Sequence, residues 1–172
     1  MAHELLWSKV VGARWQWPLV SLCLKLEQCN MNLHSIVWPT DARSACNHYL
    51  GFAIKLIQDL GIVFPATRLD PVVIATGYVA GTVSQEVCKT ETAAWWADLE
   101  SRGALLAPAN RDEQTARLAL CLLVTSDPLP ELVTLVSWLL ELLELMGYPA
   151  SRIDRIMEEY FSPPSARKAG AT

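Results

Sequence analysis

The chain has 172 residues, of which 52% are hydrophobic and only 19% charged, and its net charge at pH 7 is −4. This composition excludes a disordered chain, which has low hydrophobicity and high net charge, and the 8 glycines and 10 prolines exclude a collagen-like one. The acidic balance argues against a general nucleic-acid binder, because phosphate contacts need clustered Lys and Arg side chains. The length predicts one compact domain.

No apolar run is long enough to cross a membrane, which takes about 20 residues in a helix. The longest uncharged stretch, Pro71–Gln85, has 15 residues and contains two glycines. The five cysteines are widely spaced and form no CxxC pair, a pattern typical of reduced, buried thiols. We therefore expect a cytoplasmic protein with no membrane span.

The first forty residues differ in pattern from the rest of the chain. Within them, Val20–Glu27 alternates between apolar and polar residues as a strand does, although a helix with three leucines on one face fits almost as well. We expect residues 1–40 to form a less regular N-terminal arm at the periphery of the fold. A new pattern begins near Met31, which motivates the hypothesis that residues 1–30 result from an upstream start codon.

The clearest helix is predicted between Asp41 and Gly61. Asp41 is placed to cap its start, and Gly61 occupies the position of a C-terminal capping glycine after Leu60. Apolar residues recur at spacings of three and four, as on the buried face of a helix. They are Ala42, Cys46, Tyr49, Ala53, Ile57 and Leu60.

The next segment, residues 72–87, is ambiguous in its sequence. Asp70 and Pro71 are an N-cap and an N1 proline, which together with the length favour a helix, whereas the β-branched opening fits a buried strand. If the segment is a helix, Gly77 and Gly81 lie one turn apart, and we expect them to let another helix approach closely.

Four further helices are predicted towards the C-terminus. Asn110 with Glu113, and Ser151 with Asp154, have the spacing of a capping box at a helix start. The four segments are Thr92–Arg102, 111–124, Pro130–Met146 and Arg152–Phe161. Residues 162–172 are predicted to be a disordered tail.

Pro130–Met146 is the most apolar of these segments, because its polar residues form only one narrow stripe. A helix that is apolar around most of its circumference lies at the centre of a bundle or seals against a partner. The sequence therefore predicts an all-α fold, in which residues 41–161 form a compact bundle of five or six helices around this central apolar helix.

Arg43 and His48 are separated by four residues. This Arg-x4-His spacing is similar to the motif of HEPN-type ribonucleases, helical proteins in which such an Arg and His form the active site across a dimer. The resemblance covers six residues and implies a small helical ribonuclease. On one helix, residues five apart point about 140° apart, so the pair does not share a face. The alternative interpretation is a solvated Arg and a His on the helix surface.

Residues 135–161 also suggest a helix-turn-helix, with 147–150 as the turn. The second helix offers Arg152 and Arg155 to phosphates, which implies a transcriptional regulator, but several carboxylates on the same helix would repel them. We interpret Arg155 and Glu159 instead as a surface ion pair at i,i+4.

Signatures of metal, cofactor or catalytic sites are not found in the sequence. The three histidines, His3, His34 and His48, are scattered, and neither a nucleophile-elbow serine motif nor a phosphate-binding glycine loop occurs. We predict no metal, no cofactor and no catalytic residue.

Seven tryptophans are the remaining unusual feature. Trp95 and Trp96 are adjacent on a predicted helix, with Leu99 one turn on. We expect one ring in the core and the other at its rim, where tryptophan is enriched in binding sites; the alternative is that both are core. Trp15 and Trp17 lie in a segment poorly suited to a core. All five of these residues are predicted to form a partner-binding surface.

These observations favour a small acidic, non-enzymatic interaction protein of the adaptor, chaperone or inhibitor type, which acts through an apolar, tryptophan-containing surface. Its predicted partner is another protein or a second copy of the chain. The helix-turn-helix regulator and the ribonuclease stay as alternatives.

Overall fold

The computed structural model describes residue 33 and residues 36–104, 108–127 and 129–161. Six α-helices lie in these ranges, and no strand occurs among the described residues, so the predicted all-α fold is confirmed. The helices are α1 (Ala42–Leu60), α2 (Pro71–Val79), α3 (Gln85–Ser101), α4 (Arg111–Leu122), α5 (Leu132–Leu145) and α6 (Ala150–Phe161). Most of the predicted N-terminal arm and the whole predicted tail lie outside the described residues.

Hydrogen bonds to three predicted capping residues fix the starts of three helices. Asp41 and Asn110 each accept a hydrogen bond from the main-chain N–H three residues later, at 2.8 and 3.0 Å, and thereby cap α1 and α4. Asp70 accepts one from the N–H two residues later at 2.8 Å, and Pro71 follows as the first residue of α2. These caps confirm the predicted helix starts, and they decide the ambiguous segment after Asp70 in favour of a helix.

Several helix boundaries differ from the prediction. α3 begins at Gln85 rather than at residue 92, because the Ser84 hydroxyl caps it by accepting the Val87 N–H at 3.4 Å. α2 ends at Val79, well before residue 87. α6 begins at Ala150, so the predicted capping box at Ser151 is wrong, since that residue lies inside the first turn.

Gly77 permits a close approach of the chain to itself rather than of a second helix. The main-chain N–H groups of Thr82 and Val83 both donate to the Gly77 carbonyl, at 2.8 and 3.0 Å, so the chain folds back over the end of α2. A Cβ atom at Gly77 would lie 2.4 Å from a methyl carbon of Val83. The expectation that Gly77 and Gly81 together admit another helix is therefore wrong, since Gly81 lies beyond the helix.

Two helices other than the most apolar one hold the centre of the bundle. α1 packs against α2, α4, α5 and α6, and α4 packs against α1, α2, α3 and α5. Eight of the twelve residues of α4 are buried, against six of the fourteen in α5. The hydroxyl of the fully buried Tyr49 on α1 donates to the Cys121 carbonyl on α4 at 3.0 Å, which ties the two central helices together.

The segment predicted to be central, Pro130–Met146, forms α5 and packs mainly on α4 and α1 from one side. One of its leucines, Leu145, is 51% exposed. Buried alanines, Ala45, Ala53, Ala116 and Ala119, lie among larger buried side chains on α1 and α4, whereas α5 contains no alanine.

Candidate interaction surface

An exposed apolar surface runs along α2. Val73 is 66% exposed, more than any other large apolar side chain on a described helix, and Leu69, just before the N-cap, is 61% exposed. Thr76 and Ala80 are also exposed, at spacings that continue the same line. Val73, Thr76 and the C-cap residue Ala80 are spaced by three and four residues and so lie on one face of the helix, whereas Leu69 precedes the N-cap Asp70 and is not part of the helix. We call these four residues, Leu69, Val73, Thr76 and Ala80, the α2 stripe.

Three of the four residues of the α2 stripe, Val73, Thr76 and Ala80, lie in a segment without charge, whereas Leu69 stands between Arg68 and Asp70. No Asp, Glu, Lys or Arg occurs between Asp70 and Glu86. The solvent face of a helix in a globular protein usually carries charged and polar side chains, so α2 departs from the ordinary pattern. An exposed apolar helix face is a candidate surface for binding another molecule.

The opposite face of α2 is anchored at Tyr78, which is 1% exposed. The guanidinium carbon of Arg43 lies 4.0 Å from the centre of the Tyr78 ring, and Nη2 of the same guanidinium donates to the Tyr78 carbonyl at 2.7 Å. The Ser126 main-chain N–H donates to the Tyr78 hydroxyl at 3.1 Å. These contacts, made to α1 and to the chain after α4, hold α2 with the stripe facing solvent.

Sequence reasoning missed this surface, although the signal was present. The uncharged stretch Pro71–Gln85 was considered only as a membrane span, for which it is too short. The spacing of Leu69, Val73 and Ala80 would have identified an apolar line on the helix. It could not tell which side of the helix faces solvent, because that depends on the distant anchor at Tyr78.

The fold places the residues of the predicted tryptophan surface in different environments. Trp95 is 2% exposed and Leu99 is fully buried, so neither can contact a partner from its present position. The Trp95 ring packs 6.5 Å from the Phe64 ring, at an interplanar angle of 71°, and its indole N–H has no hydrogen-bond acceptor. Trp95 and Leu99 are therefore core residues rather than surface residues.

The other predicted tryptophans differ from Trp95. Trp96 is half-buried, and the guanidinium carbon of Arg117 lies 5.5 Å from its ring centre, within range of a cation–π interaction. Burial lowers the pKa of Arg117. Trp15 and Trp17 lie outside the described residues. A binding role for Trp15, Trp17 and Trp96 stays a prediction.

Arg43 and His48, the pair that resembles a ribonuclease motif, point to different neighbours. Arg43 contacts Tyr78 on α2, as described above. His48 packs against the rings of Tyr160 and Phe161 at the end of α6, with ring-centre distances of 5.2 and 5.6 Å. The two side chains therefore lie on different sides of α1 and form no common site within the described residues.

The second helix of the suggested helix-turn-helix uses one of its two arginines internally. Arg152 donates to the Asp59 carbonyl at the end of α1, whereas Arg155 is exposed. Glu159, the predicted partner of Arg155, lies 3.8 Å from Lys55 on α1. α6 packs on α1 through this face, so only Arg155 is left to contact phosphates.

The three described cysteines, Cys46, Cys88 and Cys121, are free and buried. Burial raises the pKa of the Cys46 and Cys121 thiols to about 12, and it also raises the pKa of Cys88. Thiols in this state are poor nucleophiles and poor metal ligands, since both roles require the thiolate.

A recess of about 210 Å³ lies between the end of α1 and the start of α4. The Arg111 guanidinium at its wall donates to the Tyr148 hydroxyl at 2.7 Å and to the Met146 carbonyl, so its charge is already engaged within the chain. The part of the chain that the structure describes contains no group of three or more His, Cys, Asp or Glu side chains that could hold a metal ion. It also contains no helix that is both long and apolar enough to cross a membrane.

Comparisons of the chain with models of protein families, with curated proteins and with solved structures found no match.

Proposed function

We propose that this chain is a small acidic, non-enzymatic interaction protein of the adaptor, chaperone or inhibitor type, and that it binds its partner through the α2 stripe. The observation that supports the proposal most strongly is an exposed, uncharged line of side chains, centred on Val73, on a helix whose other face is anchored. A cytoplasmic setting is part of the proposal, in keeping with the free thiols of the described cysteines.

The partner that fits this surface is another protein that presents a short apolar helix. Spacings of three and four residues, as between Val73, Thr76 and Ala80, are those at which two helices interlock their side chains, and the small Thr76 and Ala80 let a partner backbone come close. α2 has nine residues, which is about 13 Å of helix. A stable interface buries about 800 Å² on each partner, so the stripe forms only part of the contact with a partner protein.

Co-purification of the full chain from the cells that naturally express it tests this proposal. We compare the unchanged chain with Val73→Lys, which puts a charge into the stripe, and with the matched control Val63→Lys. Val63 is 85% exposed and lies in the loop after α1, away from the stripe. We expect Val73→Lys to reduce recovery of the partner about tenfold or more, as a charge at the centre of an apolar contact does, and Val63→Lys to leave it unchanged.

Two outcomes contradict the proposal. If both variants recover the same proteins as the unchanged chain, the α2 stripe binds no partner. If light scattering shows that the purified chain is a dimer and that Val73→Lys converts it to a monomer, the stripe binds a second copy, and the choice of a different protein as partner is wrong. Circular dichroism must show the same helix content in both variants.

A further inference from the structure

Five aromatic rings meet where α1 and α6 pack. We call Trp38, His48, Phe52, Tyr160 and Phe161 the aromatic cluster. The rings of Phe52 and Phe161 are closest, with centres 4.8 Å apart, and Phe52 also lies 5.7 Å from Tyr160. Trp38 and Phe161 are 5.7 Å apart at an interplanar angle of 73°. These distances and angles are typical of favourable packing between aromatic rings.

His48 lies where the two ends of the helical domain meet, beside the direct contact of Trp38 with Phe161. Its ring lies 5.8 Å from that of Trp38, in the segment 36–39 that enters α1. It also contacts Tyr160 and Phe161, the last two residues of α6. The Tyr160 hydroxyl donates to the His48 carbonyl at 3.0 Å, which holds the end of α6 over this residue.

The surroundings of the His48 imidazole favour its neutral form. Within the described residues, no hydrogen bond is made to this ring, and its neighbours are the faces and edges of other rings. Burial lowers the pKa of His48. A proton on this ring would place a positive charge in a mostly apolar contact, which opposes the packing around it.

Few charged groups face this site. The entering segment 36–39 contains no ionisable residue. On α6, burial raises the pKa of the Tyr160 phenol, so that it stays neutral, and Glu159 lies 3.8 Å from Lys55 of α1 rather than against the imidazole. At the start of α1, hydrogen bonds from Ser44 lower the pKa of Asp41, so that this carboxylate titrates far below the range of histidine.

We propose that His48 is a pH-dependent latch: uptake of a proton from solvent by its imidazole releases the entering segment 36–39 and the last turn of α6 from α1. The latch is closed when the imidazole is neutral. The latch lies away from the α2 stripe, so an experiment can disprove the latch without disproving the proposed partner binding, and the reverse.

The direction of the effect follows from proton linkage. A histidine in an unfolded chain has a pKa of about 6.5, and burial places that of His48 lower in the fold. Between the two values the opened state binds more protons than the closed state, so lowering the pH favours opening. The contribution of the latch to stability is complete above the unfolded pKa and is lost as the pH falls through and below that value.

Hydrogen exchange of the full chain at pH 7.5 and pH 5.5, corrected for intrinsic exchange rates, tests the latch. We expect protection in residues 36–40 and 157–161 to fall severalfold at the lower pH, because the opened state binds the proton more strongly than the closed state, while α3 keeps its protection. The matched variant is His48→Phe, which retains a ring but cannot take up a proton. In this variant we expect the same segments to stay protected at both pH values.

Three results overturn the proposal. The first is full protection of both segments at pH 5.5 in the unchanged chain. The second is an equal loss in the unchanged chain and in His48→Phe, since the loss then does not depend on this residue. If His48→Phe does not fold, an NMR titration of the unchanged chain decides. The third overturning result is a His48 pKa at or above 6.5, which a cation–π interaction with the surrounding rings would give. A lower His48 pKa, with the Trp38 indole signal changing over the same pH range, supports the latch.

Discussion

The hydroxyl of Tyr160 on α6 and the main-chain carbonyl of His48 on α1 form a hydrogen bond, with 3.0 Å between the two oxygens. The hydroxyl reaches the surface of α1 because Gly51 lies beneath it. A Cβ atom at Gly51 would lie 2.5 Å from the Tyr160 oxygen, which is closer than two such atoms can approach. The contact between the first and last helices therefore depends on a glycine in the middle of α1.

Gly51→Ala is expected to destabilise the fold, although alanine is normally the better residue inside a helix. Helix propensity alone would stabilise the protein by about 1 kcal/mol. The new methyl group instead displaces Tyr160 from the hydrogen bond and from the rings of the aromatic cluster, and overpacking of this kind costs about 1–3 kcal/mol. We expect a net loss in the free energy of unfolding, measured by urea denaturation followed by circular dichroism.

The variant Tyr160→Phe provides the control for this prediction. It removes only the oxygen with which the alanine methyl group at position 51 would collide. The loss of the hydrogen bond itself costs about 0.5–1.5 kcal/mol. In a double-mutant cycle, Gly51→Ala should then be neutral or stabilising in the Tyr160→Phe background. The same destabilisation in both backgrounds would show that the cost of alanine does not arise from Tyr160.

Trp95 and Trp96 are adjacent in sequence, but the fold predicts different consequences for their removal. Trp95 is 2% exposed and packs against Phe64, so Trp95→Ala leaves a large cavity in the core. Substitutions of this kind cost about 3–5 kcal/mol. Trp96 is half-buried beside Arg117, and we expect Trp96→Ala to cost clearly less, because solvent can fill part of the space.

Urea denaturation of the two alanine variants measures this difference directly. If Trp96→Ala is as destabilising as Trp95→Ala, Trp96 is a core residue as well, and its predicted role in partner binding loses its support. If Trp96→Ala leaves stability nearly unchanged, the same variant can be used in the co-purification experiment to ask whether this ring contacts a partner.

Features whose determinants lie within a few residues of one another were predictable from the sequence. The caps Asp41, Asp70 and Asn110 bond to groups two or three residues away, so their sequence pattern contains the whole interaction. The same reasoning failed at Ser151, where the preceding Pro149 carbonyl already accepts the first N–H groups of α6 and the helix starts earlier than the cap pattern indicates.

The arrangement of the helices was less predictable, because it depends on contacts between distant residues. Hydropathy favoured Pro130–Met146 as the centre, but the number of neighbouring helices decides which helix is central, and α1 and α4 each pack against four others. The α2 stripe faces solvent because Tyr78 is bound by Arg43 and Ser126, which are 35 and 48 residues away. No local pattern in α2 contains this information.

The buried thiols Cys46, Cys88 and Cys121 lead to a prediction about chemical reactivity. Since burial raises the pKa of Cys46 and Cys121 to about 12, only about one thiol in ten thousand is ionised at pH 8. Each of these two sulfurs also lies 3.8 Å from a main-chain carbonyl oxygen, to which the thiol proton is donated. We expect peptide mass spectrometry to find all three cysteines unlabelled after treatment of the folded protein with iodoacetamide at pH 8, and labelled when urea is present.

An added cysteine serves as the internal control for this experiment. In the variant Val63→Cys, the new thiol stands in a position that is 85% exposed, so it should react with iodoacetamide at the rate of an ordinary exposed thiol while the three buried ones stay unmodified. Fast labelling of Cys46 or Cys121 in the folded protein would mean that α1 and α4 separate readily. That result would contradict their position at the centre of the bundle, because a thiol there becomes accessible only when the two central helices move apart.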